Sequence, residues 1–329
     1  MKKYGSGVLV YKESSAGTFN VGDYIQSIAA QGFLGEVDCY INREEAALYT
    51  GNSIKLIMNG WYTHTRNNNW IPSEKIKPLL ISFHLNSAAA STILNEEAIK
   101  FFKKNEPIGC RDQYTVNLLN EKGINAYFSG CLTLTLDRFR AKTTSRSGIY
   151  IVDPLYNYPS FDYLKNYPKG IFRYILNGNI FKLNKVNKHM KNIFSNSLLN
   201  KATYIQQVIP GKGLTDNDKF EIAKDILQKY STAELVITSR IHCALPCLAM
   251  GTPVIYINGF DSFDDTCRFE GILELFNRID VDVNSGKFTT NFSFEGDKIN
   301  ENIQISNKDN YLKLAMSMKN TCNNFIKEI

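Results

Sequence analysis

The residues best suited to chemistry are Arg240-Ile241-His242, which follow a short apolar run, Leu235-Val236-Ile237, through a polar corner, Thr238-Ser239. The apolar segment after them has helical length and ends at Gly251. A helix that starts at the carboxyl end of a buried strand turns its free amide groups and positive dipole end outward, and so favours anions. A guanidinium fork matches carboxylate and phosphate, and an imidazole exchanges protons near neutral pH. The corner therefore predicts an anion site, with Arg240 and Ser239 on the anion and His242 beside it. A structural arginine with a satisfied core histidine is the competing reading, and the Arg-x-His pairing at a strand-to-helix corner favours function.

Two further stretches carry similar potential. Arg111, in Ile108-Gly109-Cys110-Arg111-Asp112, is expected at another strand end. Asn20-Val21-Gly22-Asp23 opens a helix that continues from Tyr24; Asn20 or Asp23 can cap it, Gly22 lets the backbone approach a ligand, and Asp23 offers a carboxylate. Asp264 and Asp265 are alternative carboxylates. Trp61 and Tyr62, in an expected loop with His64 and Asn67 to Asn69, have the rings and polar groups that suit a sugar.

The elements that must position these residues alternate along the chain. Strand patterns at 7–12, 37–41, 54–58, 78–85, 107–110 and 126–128 are separated by helical ones, which implies a parallel, doubly wound α/β sheet with ligands at its carboxyl ends. A second series starts near Gly148, so two α/β domains are expected with a boundary within 137–147. A last amphipathic helix covers 311–329.

Composition narrows the function. The chain has 329 residues, 43% hydrophobic, with a formal charge of +6. Its N-terminal apolar run is too short for a signal peptide or a membrane span, so a cytoplasmic protein is expected. Seven cysteines without paired C-x-x-C spacing read as reduced thiols. Cys243 and Cys247, four apart on the helix with His242 adjacent, have no further ligand at fitting spacing, and Asp280-Val281-Asp282 is late and isolated, so no metal is expected. From Tyr163 to Thr215 the chain is basic and lacks acids, with Lys165, Lys182, Lys185, Lys188, Lys191 and Lys201 among apolar residues. This run reads as a solvated face or as a peripheral contact with anionic lipid headgroups through 165–201, and no nucleic-acid motif accompanies it.

In this order, Asn20-x-Gly22-Asp23, Ile108-Gly-Cys-Arg111-Asp112, Ser129-Gly-Cys-Leu-Thr-Leu-Thr135 and Glu234-Leu-Val-Ile-Thr-Ser-Arg240-Ile-His242 with Gly251-Thr-Pro253 resemble the polysaccharide pyruvyl transferases. The resemblance implies two Rossmann-like domains in a glycosyltransferase-B-like arrangement. It divides the chain into 1–145, a donor-site domain at 146–304, and a helix at 305–329 that packs back toward the first domain. It also implies that phosphoenolpyruvate is the donor and that a sugar diol of a surface or extracellular polysaccharide, or a lipid-linked precursor, becomes a pyruvate ketal with release of phosphate. No further cofactor is implied. On that basis Arg111, Arg240, Ser239, Asn20 and Gly22 are expected at the donor, His242 and Asp23 in catalysis, and a location in the cytoplasm or at the inner face of the membrane. The alternative is a nucleotide-sugar glycosyltransferase of the same architecture, although no carboxylate suited to a ribose stands out after Gly251-Thr252-Pro253.

Overall fold

Two parallel sheets with the same strand order organise the chain, whose computed structural model describes residues 4–62, 70–142, 145–158, 185–259 and 266–328. The strands of the first half are β1 (Gly5–Val10), β2 (Thr18–Asn20), β3 (Cys39–Asn42), β4 (Ile54–Tyr62), β5 (Ile76–Leu85), β6 (Ile108–Cys110) and β7 (Ala126–Phe128). Those of the second are β8 (Ile149–Val152), β9 (Thr203–Ile205), β10 (Val208–Pro210), β11 (Leu235–Thr238), β12 (Val254–Asn258), β13 (Asn277–Val281) and β14 (Phe288–Thr290). The described helices are α1 (Val21–Gln31), α2 (Ser87–Ile93), α3 (Glu96–Lys104), α4 (Gln113–Glu121), α5 (Lys185–Ile193), α6 (Asn196–Lys201), α7 (Asp216–Thr232), α8 (Ile241–Met250) and α9 (Leu312–Lys327).

The first sheet runs β3-β1-β4-β5-β6-β7, parallel throughout. The second runs β9-β8-β11-β12-β13-β14, parallel except for the last pair. In both, the chain begins on an inner strand, steps to one side and then crosses to the other. The switch points fall between β1 and β4 and between β8 and β11, where the outgoing loops diverge and leave a crevice. The doubly wound pattern expected from the alternation is thus present twice, as mixed α/β of Rossmann-like character.

Hydrophobic burial joins the halves. β11 is buried along its whole length, and α8 is apolar on nearly every face because it packs against the 3₁₀ segment Leu132–Phe139, α1, α7 and β12. One continuous core runs from Leu9, Ile25 and Leu56 through Leu136 and Leu245 to Tyr256, and a smaller one lies on the opposite face of the second sheet. A short antiparallel ribbon, β2 with β10, adds backbone bonds between the halves. α9 lies against the first sheet, where the buried Lys55 donates to the last-turn carbonyls of Phe325 (2.7 Å) and Ile326 (3.1 Å), and to that of Glu328.

One local expectation is corrected. Asn59 to Tyr62 are not a loop but the end of β4, with an irregular register between Met58 and Gly60 that Gly60 accommodates at φ 119°. Tyr62 consequently points into the core and stacks on Phe83 at 4.6 Å, which removes it from any sugar site.

Candidate active site

The carboxyl ends of the two sheets face one crevice of about 120 Å³. The first half contributes Asn20, Asp23 and Gln26 from the start of α1, Trp61 at the end of β4 and Arg111 after β6. The second contributes Tyr156 after β8, Gln207 between β9 and β10, Arg240 and His242 at the start of α8, and Arg268 with Phe269.

Arg240 is fixed by its neighbours. It occupies the N-cap position of α8, its N–H donates to Thr238 Oγ1 at 2.9 Å, and its Nε donates to Asp153 Oδ2 at 2.9 Å. Its guanidinium carbon stands 3.8 Å from the Tyr156 ring centroid, a cation–π contact. Asp153 (φ 41°) and Leu155 (φ 50°) both adopt left-handed backbone, which is strained for these residue types. Ser239 secures that turn: its buried Oγ accepts from the Leu155 N–H at 2.8 Å and donates to the Ile257 carbonyl at 2.7 Å. Expected on the anion, Ser239 instead has its hydroxyl committed to backbone behind the crevice.

On the other wall, Asn20 caps α1 by accepting from the Gly22 N–H at 3.1 Å. A Cβ on Gly22 would lie 3.0 Å from His242 Cβ and 3.2 Å from its Nδ1. Glycine is therefore needed where α1 meets the histidine, and its close approach is to His242. Gln207, 1% exposed, receives the Val21 N–H on its carbonyl at 2.7 Å and donates its side-chain amide to the His242 carbonyl at 3.4 Å.

The electrostatics centre on His242. Its Nε2 is buried without a hydrogen-bond partner, and burial, followed by the charges of Arg111, Arg268 and Arg240, holds its pKa well below the ordinary 6.5. At neutral pH the imidazole is uncharged. Arg111 is 2% exposed and its Nε has no hydrogen-bond partner; burial lowers its pKa against the opposing pull of Asp112, whose Oδ2 lies 3.8 Å from that nitrogen. Burial pushes Asp112 up, but the His84 hydrogen bond (2.5 Å) and the Arg111 charge outweigh it and keep its pKa low. Thr115 adds two bonds to the same carboxylate, at 2.9 and 2.8 Å. Arg268 donates through Nη2 to the Tyr156 hydroxyl at 2.8 Å and leaves a buried Nε without a hydrogen-bond partner. Three guanidiniums around a neutral imidazole, two of them with buried N–H groups lacking acceptors, form a receptacle for a small, multiply charged anion.

Of the residues singled out in the sequence, Asn20, Asp23, Trp61, Arg111, Arg240 and His242 thus share one crevice, with Gly22 and Ser239 directly behind it. Cys243 and Cys247 are buried in α8. His64, Asn67 to Asn69, Asp264, Asp265 and the basic run from Lys165 to Lys182 lie outside the described residues. Sequence reasoning missed Arg268, Gln207, Tyr156 and Asp153. Asp153 and Arg268 each follow a strand toward its carboxyl end, and that position was the available signal.

Fold and site together define a Rossmann-like α/β protein with an arginine-rich crevice at the carboxyl ends of both its sheets. The chain belongs to the polysaccharide pyruvyl transferase family, whose model matches residues 20–262. Membership supports a transferase acting in polysaccharide biosynthesis. Among solved structures, a functionally uncharacterized protein from Klebsiella pneumoniae subsp. pneumoniae is similar at 12% sequence identity and a TM-score of 0.42, over 82% of this chain and 89% of that one. A search of curated proteins finds no match. No described helix is long and apolar enough to cross a membrane.

Proposed function

We propose that the protein transfers the enolpyruvyl unit of phosphoenolpyruvate to a sugar diol of a surface or extracellular polysaccharide, or its precursor. The product is a cyclic pyruvate ketal, with release of phosphate. The observation that carries this reading is the partnerless Nε2 of His242 within the field of Arg111, Arg240 and Arg268. The donor presents a phosphate and a carboxylate together, and one cation cannot hold both at once.

The vinyl carbon gains a proton and becomes a methyl group, and two sugar oxygens bond to C2 as the C2–O bond to phosphate breaks. Of the two hydroxyl protons lost, one is matched by the methyl group and the other by the departing phosphate. The arginines hold the donor and stabilise the charge on the leaving phosphate. His242 handles the proton at the vinyl carbon, and Asp23, half-buried on the opposite wall, receives one from the acceptor. In the same reading, 1–145 and 146–304 are the two domains of a glycosyltransferase-B-like arrangement, with 305–329 returning to the first. Residues 165–201, part of which lie outside the described residues, approach a lipid-linked acceptor at the membrane surface.

The test is incubation with phosphoenolpyruvate and defined sugars in deuterated water. Phosphate release with deuterium in the product methyl group is expected. Turnover of a nucleotide sugar, with neither phosphate release from phosphoenolpyruvate nor methyl deuterium, would replace this reading by the glycosyltransferase one.

A further inference from the structure

A second cavity adjoins the crevice at the carboxyl ends of β8 and β9, flanked by α5 and α6. It measures about 900 Å³ against about 120 Å³ for the crevice, and Tyr156 and Arg240 line both. A volume of that size falls within the roughly 300–1,000 Å³ usual for ligand pockets and far exceeds what a three-carbon donor fills.

Its wall has a particular chemistry. Tyr156 and Tyr204 supply rings, Asn187 and Asn200 supply carboxamides, and Lys191 stands with Arg240 as a cation. Tyr204 is 58% exposed, a large aromatic on the outer strand of the sheet. Among the described residues the one carboxylate in the wall is Asp153, and Arg240 holds it. Tyrosine rings match the C–H faces of pyranoses, and carboxamides donate to and accept from hydroxyls. Such a wall suits an extended polyol, and among the described residues it adds no carboxylate beyond Asp153 to oppose a cationic ligand.

We infer that this cavity holds the glycan bearing the acceptor diol, with Tyr156 as the shared wall across which the diol meets the donor. The inference rests on the pyruvyl-transfer reading for what happens to the diol, but saccharide binding at Tyr204 and Asn200 is measurable without it.

The experiment uses the full chain and a panel of probes: methyl glycosides and disaccharides of galactose, glucose, mannose and N-acetylmannosamine. Saturation-transfer nuclear magnetic resonance and calorimetry report saccharide binding, and calorimetry reports phosphoenolpyruvate separately. At least one saccharide is expected to bind. Tyr204→Ala and Asn200→Ala each weaken it by about tenfold, while donor affinity stays within about twofold of wild type. Absence of binding by every probe, or unchanged saccharide affinity in both folded variants, overturns the inference. If saccharide binding falls in the variants while the wild type ignores phosphoenolpyruvate, the glycan cavity stands and the donor assignment fails.

Discussion

Asp153 Oδ2 accepts from Arg240 Nε at 2.9 Å and from the Gln207 N–H at 3.0 Å, so one carboxylate oxygen ties the crevice arginine to the segment that also braces α1 and His242. Gln207 passes the constraint on, through its carbonyl to Val21 and through its side chain to the His242 carbonyl. The strained φ of 41° at Asp153 persists because these bonds over-determine it.

Asp153→Asn keeps the size of the side chain and removes its charge. Donor affinity is expected to fall by about tenfold, the scale of one charge-assisted bond, with the circular dichroism spectrum unchanged. Calorimetry that returns wild-type affinity would show that Arg240 is held without this pair.

Arg111→Ala and Arg268→Ala should each weaken phosphoenolpyruvate by roughly ten- to a hundredfold, since each removes a charged donor from the crevice. The Arg111 variant should also melt earlier, because it opens a void beside the buried Asp112. Lysine at either position restores affinity only in part. Equal donor binding by a folded Arg268→Ala protein would remove that residue from the site.

His242 is neutral because burial and three arginine charges lower its pKa. A bound donor offsets those charges, so its pKa rises and binding takes up protons. Toward about pH 6.5 the wild type should take up more protons on donor binding than His242→Gln, read from how the binding enthalpy varies with buffer ionisation enthalpy, the donor phosphate being common to both. His242→Gln should also lower turnover by about 10² or more while binding the donor. Equal proton uptake by wild type and variant would contradict it.

Stability should fall on mild acidification. His84, His189 and His242 all titrate below the ordinary 6.5 in the folded chain, in each case chiefly because of burial. The unfolded chain therefore binds more protons as pH drops through 6.5, and the folded state loses stability from there downward. Asp112, held below its ordinary 3.8, adds its own loss only in stronger acid. Thermal melts should be flat above about pH 7 and decline by several degrees toward about pH 5. A flat profile across that window would sink the account.

Lys55→Met should loosen α9 from the first sheet, because three carbonyls of its C-terminal end lose their shared donor. A cost of about 1.5–3 kcal/mol is expected in denaturant titrations, with faster amide exchange confined to α9 and its contacts. Unchanged exchange in that helix would show that packing alone retains it.

The strand, corner and helix from Leu235 to Gly251 were legible because the information is local: a run of apolar β-formers, a polar break, an apolar helix and a glycine that takes φ 71° at its end. The Asn20 cap was legible for the same reason, as was the alternation that yields two sheets of one strand order. Tertiary structure decided that Gly22 lies against His242, that Ser239 turns away to backbone, that Tyr62 is core, and that Arg111, Arg240 and Arg268 converge on one imidazole. Local patterns register which residues share a helix face or a strand. Which strand ends face one another is set by long-range burial, here of α8 between the two halves, and no periodicity of the sequence expresses it.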